Sequence, residues 1–462
     1  MRKKVFYLSK SKAITNFTTG NVTRQLVTFS APIFFSNLLQ AVYSMVDTMI
    51  IGRFVGSAGL SGVAIGGDIL NFLTFLAVGF ATASQVLISQ YIGAQKQDEI
   101  GDLIGTIFSF LMTLALMISG ICLFLREPIL NWMSTPLESR PFASVYLTTI
   151  IFGLVFIFGY NIVSAIFRGF GDAKRPFLFV AMAAVLNIIL DFLFVVGLNM
   201  NTFGAALATV ISQGFSFLLG LFYLYKMKDE IGFNFKLKNF RLKRAYLQPL
   251  ISLGTPMAFE AISVQFSVLF VNSWINSYGV MISAVSAIGH KLGMIGNFFA
   301  NAITLSASSM IGQNIGARKY DRVPRIIRDS FMINAFTCSF LIFSILLFPG
   351  EIFGLFTDDP EILQIAMQYV PIAVLIFSSA VVRSPINALI RGTGNYRLNF
   401  AIAIFDAYIA RIGLGLLLGL VFGLDYQGFW YGNALAGFVP FIIGGVYFLS
   451  GNWKSRSHLI KT

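Results

Sequence analysis

Apolar runs of 20 residues or more follow one another almost from end to end of this 462-residue chain, parted by short polar breaks. They fall at 26–52, 59–92, 103–125, 142–168, 176–197, 203–226, 248–276, 283–314, 327–348, 362–391, 398–422 and 427–450. Crossing a bilayer's hydrocarbon core takes about 20 helical residues, so the pattern predicts twelve transmembrane helices. Several runs exceed that length, which implies tilt or extension past the bilayer. The runs are continuously apolar rather than alternating, which points to helices and not to the strands of a barrel. Composition sharpens this: 56% of residues are hydrophobic and 11% charged, against roughly 25% charged in a soluble domain. The fold class expected is an all-α membrane protein.

The net charge of +13 would suggest nucleic acid if the basic residues shared one face. Instead they recur in the breaks between spans. Alternating the breaks between two sides places 27 Lys and Arg with the N-terminus and three, Arg53, Arg126 and Arg140, opposite. By the positive-inside rule both termini are expected in the cytoplasm of a bacterial or archaeal cell, with the chain in its plasma (inner) membrane. Residues 1–25 are basic with no apolar core, so no removable signal peptide is expected. A long basic break at 227–247 separates 26–226 from 248–450, and 451–462 form a tail. Cys122 and Cys338 lie inside apolar runs, which argues against a disulfide or thiolate metal site. With only His290 and His458 and no metalloprotease or nucleophile-elbow motif, no enzyme is expected.

The two halves repeat. A shift of 223 residues pairs Gln90, Ile92, Gly93, Ala94, Lys96 and Asp98 with Gln313, Ile315, Gly316, Ala317, Lys319 and Asp321. The same shift pairs Ala64–Ile65–Gly66 with Ala287–Ile288–Gly289, and RGFGD at 168–172 with RGTGN at 391–395. A shift of 224 pairs Pro32 with Pro256 and Gly204 with Gly428. Six spans per half is an even number, so the expectation is two parallel six-helix bundles related by a pseudo-twofold axis along the membrane normal. Such a repeat suits alternating-access transport better than a passive scaffold.

Four stretches carry a family resemblance: Pro32 with VYSMVDTMIIG at 42–52, ISQYIGAQ at 88–95, FRGFGDAKRP at 167–176, and LNIILDFLFVVG at 186–197. Over its whole length the chain resembles the multidrug and toxic compound extrusion (MATE) transporters. The resemblance implies export of amphiphilic or cationic organic compounds, drugs or toxic metabolites, in exchange for protons or sodium, with no cofactor beyond that gradient. It implies an ion-coupling site of Asp47, Asp191 and Asn187, completed by Asn161 and Thr209, with sodium an alternative to the proton at Asp47 and Asp191. The family commonly has proline after the fifth-helix acid, where this chain has Phe192. Where the NorM-type branch has acids in its second half, this chain has Gln265 and Ala380, so it looks closer to the DinF-type branch.

The residues themselves support that reading. An ionised carboxylate at mid-bilayer costs about 2.5–3.5 kcal/mol on insertion scales, so an intramembrane acid is a functional candidate by default. Asn187 and Asp191, four apart, share a helix face. Asp68 and Lys291, related by the 223-residue shift, are candidates for a gate pairing the two halves. Glu260, one turn past Pro256, is a candidate contact for a cationic drug. With Arg383, Asp406 and Arg411 it also makes a candidate ionic network in the second half. Membrane lipid and small molecules are the expected partners, nucleic acid is not, and the chain is read as a monomer. The main rival function, a lipid-linked saccharide flippase, would want a more cationic cavity than Asp47 and Asp191 provide.

Overall fold

A computed structural model of the chain describes residues 14–231, 233, 235–236 and 239–455. Arg2, Lys3, Lys4, Lys10, Lys12, Lys238, Arg456, Lys461 and His458 lie outside the described residues. Twelve helices are long and apolar enough to cross a membrane: α1 (Val22–Phe54), α2 (Ser57–Gly93), α3 (Gln97–Phe124), α4 (Arg140–Gly169), α5 (Lys174–Gly197), α6 (Asn201–Lys226), α7 (Arg244–Asn276), α8 (Val280–Gly316), α9 (Tyr320–Leu347), α10 (Pro360–Gly392), α11 (Tyr396–Val421) and α12 (Asp425–Leu449). The expected count and order hold, and no strand occurs among the described residues.

By packing, the chain divides into two units: residues 1–16 with 31–254, and 17–30 with 255–462. This cut passes through α1 and α7, just before Pro32 and Pro256, and not at the basic linker. A proline inside a helix removes one backbone donor and crowds the carbonyl four residues back, so each crossing coincides with a weakened turn. In the first unit α4 is the central helix, packed against α2 and α6, with Tyr146, Leu147, Ile150, Leu154 and Phe158 filling the core. In the second, α8 and α10 pack together around Ile288, Leu292, Tyr369 and Phe377, with Phe429 and Trp430 of α12. Large apolar side chains point outward as well, among them Leu116, Ile121, Phe152, Phe336 and Phe340. That is the surface expected where the solvent is hydrocarbon.

Many helix hydroxyls are satisfied by their own helix, as lipid favours. Ser36 donates to the Pro32 carbonyl, Thr82 to Val78 and Thr209 to Ala205. In the second unit Ser330 donates to Ile326 and Thr393 to Leu389.

The repeat is carried by helix endings. After α2, Gln95 N–H bonds Ile92 O at 3.0 Å and Lys96 N–H bonds Tyr91 O at 3.1 Å. After α8, Arg318 bonds Ile315 at 3.0 Å and Lys319 bonds Asn314 at 2.8 Å. The same double bond closes α4 (Gly171 to Arg168, Asp172 to Phe167) and α10 (Gly394 to Arg391, Asn395 to Ile390). These are Schellman caps, which need one left-handed residue, and φ is +58° at Gln95, +57° at Arg318, +80° at Gly171 and +71° at Gly394. The blocks ISQYIGAQ and RGFGD are thus stop signals for helices. Close packing repeats too: a Cβ on Gly169 would lie 2.8 Å from Ile88 Cβ, and one on Gly392 would lie 2.8 Å from Ile311 Cβ.

Between α3 and the first turn of α4, Arg126 and Arg140 both reach Glu127, at 3.2 and 2.8 Å. The hydrogen bond from Arg140 is the main cause holding the Glu127 carboxyl below its ordinary range. Two of the three basic residues assigned opposite the termini are therefore paired with an acid.

Candidate ion-coupling site and the charges of the second unit

The first unit holds a small polar cavity, about 20 Å³ open to the centre of a water molecule, which is room for roughly one water. Four helices line it. From α1 come Gln40 and Tyr43, from α5 Val180, Ala183, Ala184 and Asn187, and from α6 Thr209, Ser212, Gln213 and Ser216, while Tyr160 closes it from α4. The α6 residues stand at i, i+3, i+4 and i+7, one helix face, and the α5 residues repeat that spacing before continuing one turn to Asp191. Asp47 lies one turn beyond Tyr43.

Asp191 and Asn187 are buried, at 0% and 3% exposure. Neither Asp191 oxygen, neither polar atom of the Asn187 amide, nor Asp47 Oδ1 has a hydrogen-bond partner among the described residues. Buried polar atoms are almost always paired, so four orphans within one turn of α5, together with one on Asp47 of α1, call for an explanation. Asp47 and Asp191 are close enough for their charges to interact, and the buried Tyr146 ring lies within range of both. Thr209 lines the cavity but spends its hydroxyl proton on its own helix at 3.1 Å. Asn161 lies beside Tyr160, off the cavity's lining, with its amide on Ile157 O at 2.9 Å.

Asp191 also ends the regular α-helical part of α5, and Phe192–Gly197 continue as a π-helix. The wide turn closes with Leu198 N–H on Leu193 O at 2.9 Å. Without a proline at Phe192, the helix is locally unwound by an inserted residue, a device frequent at functional sites.

In the second unit the expected single network is two separate pairs. Glu260 is bound by Arg391 Nη2, 3.0 Å from each oxygen, and by Asn399 Nδ2 at 3.0 Å. Asp406 pairs with Arg411 at 2.8 Å, both buried, and Arg411 also bonds Asn433. Arg383 joins neither pair by hydrogen bond and donates instead to Asn297 at 2.8 Å. The reason is axial position, since eight residues of helix separate Arg383 from Arg391, about 12 Å, and Glu260, one turn past Pro256, lies level with the latter. Of the gate candidates, Asp68 is exposed on α2 of the first unit and Lys291 is exposed on α8 of the second.

The MatE family model matches the chain twice, over residues 32–193 and 256–417. The chain belongs to the MATE family. The two matched stretches start 224 residues apart, one of the shifts found in the sequence. The probable multidrug resistance protein YpnP of Bacillus subtilis is 30% identical over 422 residues, 88% of this chain and 94% of that one. The probable multidrug resistance protein YoeA of the same organism is 27% identical, covering 96% of each. Among solved structures, a MOP superfamily transporter from Pyrococcus furiosus, described as having a binding pocket of reverse polarity, superposes with a TM-score of 0.88 at 21% identity, over 97% of this chain and 99% of that one. An outward-facing multidrug resistance MATE transporter gives 0.87 at 21% identity, over 97% and 99%. At those identities the structures speak for the fold alone.

Sequence reasoning about this MATE transporter missed Gln40, Tyr43, Tyr160, Ser212, Gln213 and Ser216. The signal was present: polar residues at i, i+3, i+4 and i+7 inside an otherwise apolar span mark a wet face. Serines in membrane helices are so often satisfied by their own backbone that, one by one, they carry no such message.

Proposed function

We propose that this MATE transporter exports amphiphilic, cationic organic compounds in exchange for protons or sodium by alternating access, and that Asp47 and Asp191 are its coupling site. The observation that carries the reading is the set of unpartnered polar atoms on Asp47, Asn187 and Asp191 beside a polar cavity in an apolar helix bundle. Two acids within range of each other's charge resist ionising together, so loading and unloading a cation there changes the energy of the surrounding helices. Multidrug resistance proteins among the relatives support the substrate class. Gln265 and Ala380, where the NorM-type branch has acids, favour coupling in the first half and the DinF-type branch. A flippase for lipid-linked saccharides is less favoured, since an acidic site repels a pyrophosphate.

The test is ethidium transport in proteoliposomes under an imposed pH or sodium gradient. Wild type is expected to pump uphill, and Asp47→Asn and Asp191→Asn to stop while still binding dye. Drug affinity should fall as the coupling ion rises in wild type and stay flat in Asp47→Asn, because ion and drug are linked through the conformation each favours. Uphill pumping by Asp47→Asn at near wild-type rate would remove Asp47 from the coupling site.

A further inference from the structure

In the second unit, charge does not balance. Within range of Arg383 are Asp406, Arg411, Glu260 and Arg391, so three guanidinium groups face two carboxylates. Both carboxylates are already committed: Glu260 accepts three hydrogen bonds, all from Arg391 and Asn399, and Asp406 holds Arg411. His290 beside Arg411 and the buried Cys338 thiol beside Arg383 add no counter-ion to that group. Arg383 is the supernumerary cation. It is half-buried in α10, and its one side-chain partner among the described residues is the neutral amide oxygen of exposed Asn297 on α8.

A guanidinium stays charged in any protein environment and presents five donors in a planar fork, shaped for a carboxylate. A charge within a membrane span that lacks a protein counter-ion is a functional candidate by default. Asn297 leaves its amide N–H₂ to donate beside the fork, and Met294, 38% exposed one turn away on α8, offers a soft apolar surface. We propose that Arg383 and Asn297 form a binding site for the carboxylate of an amphiphilic substrate, so that zwitterions carrying a cation and a carboxylate are preferred to their esterified, purely cationic forms. This rests on the export reading for why a ligand arrives, while the site itself rests on the unbalanced charge.

Rhodamine 110, with a free carboxyl group, and rhodamine 123, its methyl ester, differ at the group in question. Binding of each to the purified transporter, read by fluorescence polarisation, is expected to favour rhodamine 110 by at least about tenfold, the scale of one charge-assisted hydrogen bond. Arg383→Gln should bring the ratio within twofold, and Arg383→Lys should retain most of it. If wild type has no preference for rhodamine 110, or Arg383→Gln keeps one, the proposal fails. Equal weakening of both dyes in Arg383→Gln overturns it too, because a residue that only ties α8 to α10 would act that way. Displacement of rhodamine 110 from wild type, but not from Arg383→Gln, by phosphatidylglycerol would make lipid phosphate the ligand and also overturn it. Gradient-driven efflux of rhodamine 123 from proteoliposomes judges the export reading separately.

Discussion

At the scale of single residues, the two halves use their acids in opposite ways, and stability measurements can separate them. Glu260 is saturated, with an arginine across both oxygens and an asparagine on one. Its job is to neutralise Arg391. Removing its charge leaves a largely buried guanidinium without a counter-ion, so Glu260→Gln is expected to cost about 3 kcal/mol in unfolding free energy. Asp47 Oδ1 has no hydrogen-bond partner among the described residues, so Asp47→Asn takes away no bond seen there and is expected to stay within about 0.5 kcal/mol of wild type. Thermal unfolding in detergent measures both. A large loss at Asp47 together with none at Glu260 would reverse the assignment of structural and coupling roles. That Asp47 and Asp191 stand inside apolar spans was legible in the sequence, because an aspartate in an apolar run is conspicuous. The partner of Glu260 was not, since Arg391 sits at the C-terminal end of α10 among the repeat's basic turn residues, where a solvated charge is the ordinary reading.

At the scale of elements, the twelve spans and their register were legible because bilayer thickness fixes helix length and the repeat counts residues twice. The unwound turn after Asp191 was not. A π-helix differs from an α-helix by one inserted residue, and the apolar stretch FLFVVG has no composition that distinguishes the two. The repeat itself makes an energetic statement. Gly169 and Gly392 occupy matching places at the ends of α4 and α10, each against an isoleucine Cβ of the neighbouring helix, and Gly392 also faces Ser308 O at 2.9 Å. A methyl group there meets branched Cβ atoms and backbone, which cannot yield as the tip of a long side chain would. Gly169→Ala and Gly392→Ala should each destabilise by about 1–3 kcal/mol through overpacking. Gly67→Ala, where a Cβ meets nothing within 4 Å, should be neutral or slightly stabilising because alanine favours helix. The comparison is made by unfolding temperature in detergent, and similar values for all three variants would mean that the bundles absorb the methyl groups.

At the scale of the whole molecule the question is orientation in the membrane, and local contacts reduce it to one choice within each unit. Thr15 N–H bonds Phe170 O at 2.9 Å in the turn after α4, and two residues on, Phe17 N–H bonds Gln313 at 2.9 Å near the end of α8. Lys319 reaches back to Thr18 O at 2.9 Å, and Tyr320 stacks edge-on against Trp453 at 6.4 Å beyond the last span. In the first unit the turn after α4 therefore lies beside Thr15, and in the second unit the break after α8 lies on the same side as residues 17–18 and Trp453. In the first unit the linker joins the same kind of face: Lys243 pairs with Asp102 at 2.5 Å, Thr106 donates to Arg241 O at 3.1 Å, and Tyr246 donates to Glu99 at 3.3 Å. Residues 99–106 and 241–246 consequently lie on one side. These breaks carry most of the lysine and arginine, whereas two of the three basic residues opposite are tied to Glu127. An excess of basic residues retains loops in the cytoplasm, so reporters fused after residues 100, 173, 235 and 320 should all read cytoplasmic, and one fused after residue 136 should read the opposite compartment. The fusions at 100 and 235 form the sharpest pair, because the contacts at Asp102 and Thr106 require them to agree whichever way the protein is inserted. Disagreement between those two would contradict the structure of the first unit, whereas agreement on the external side would contradict only the charge argument.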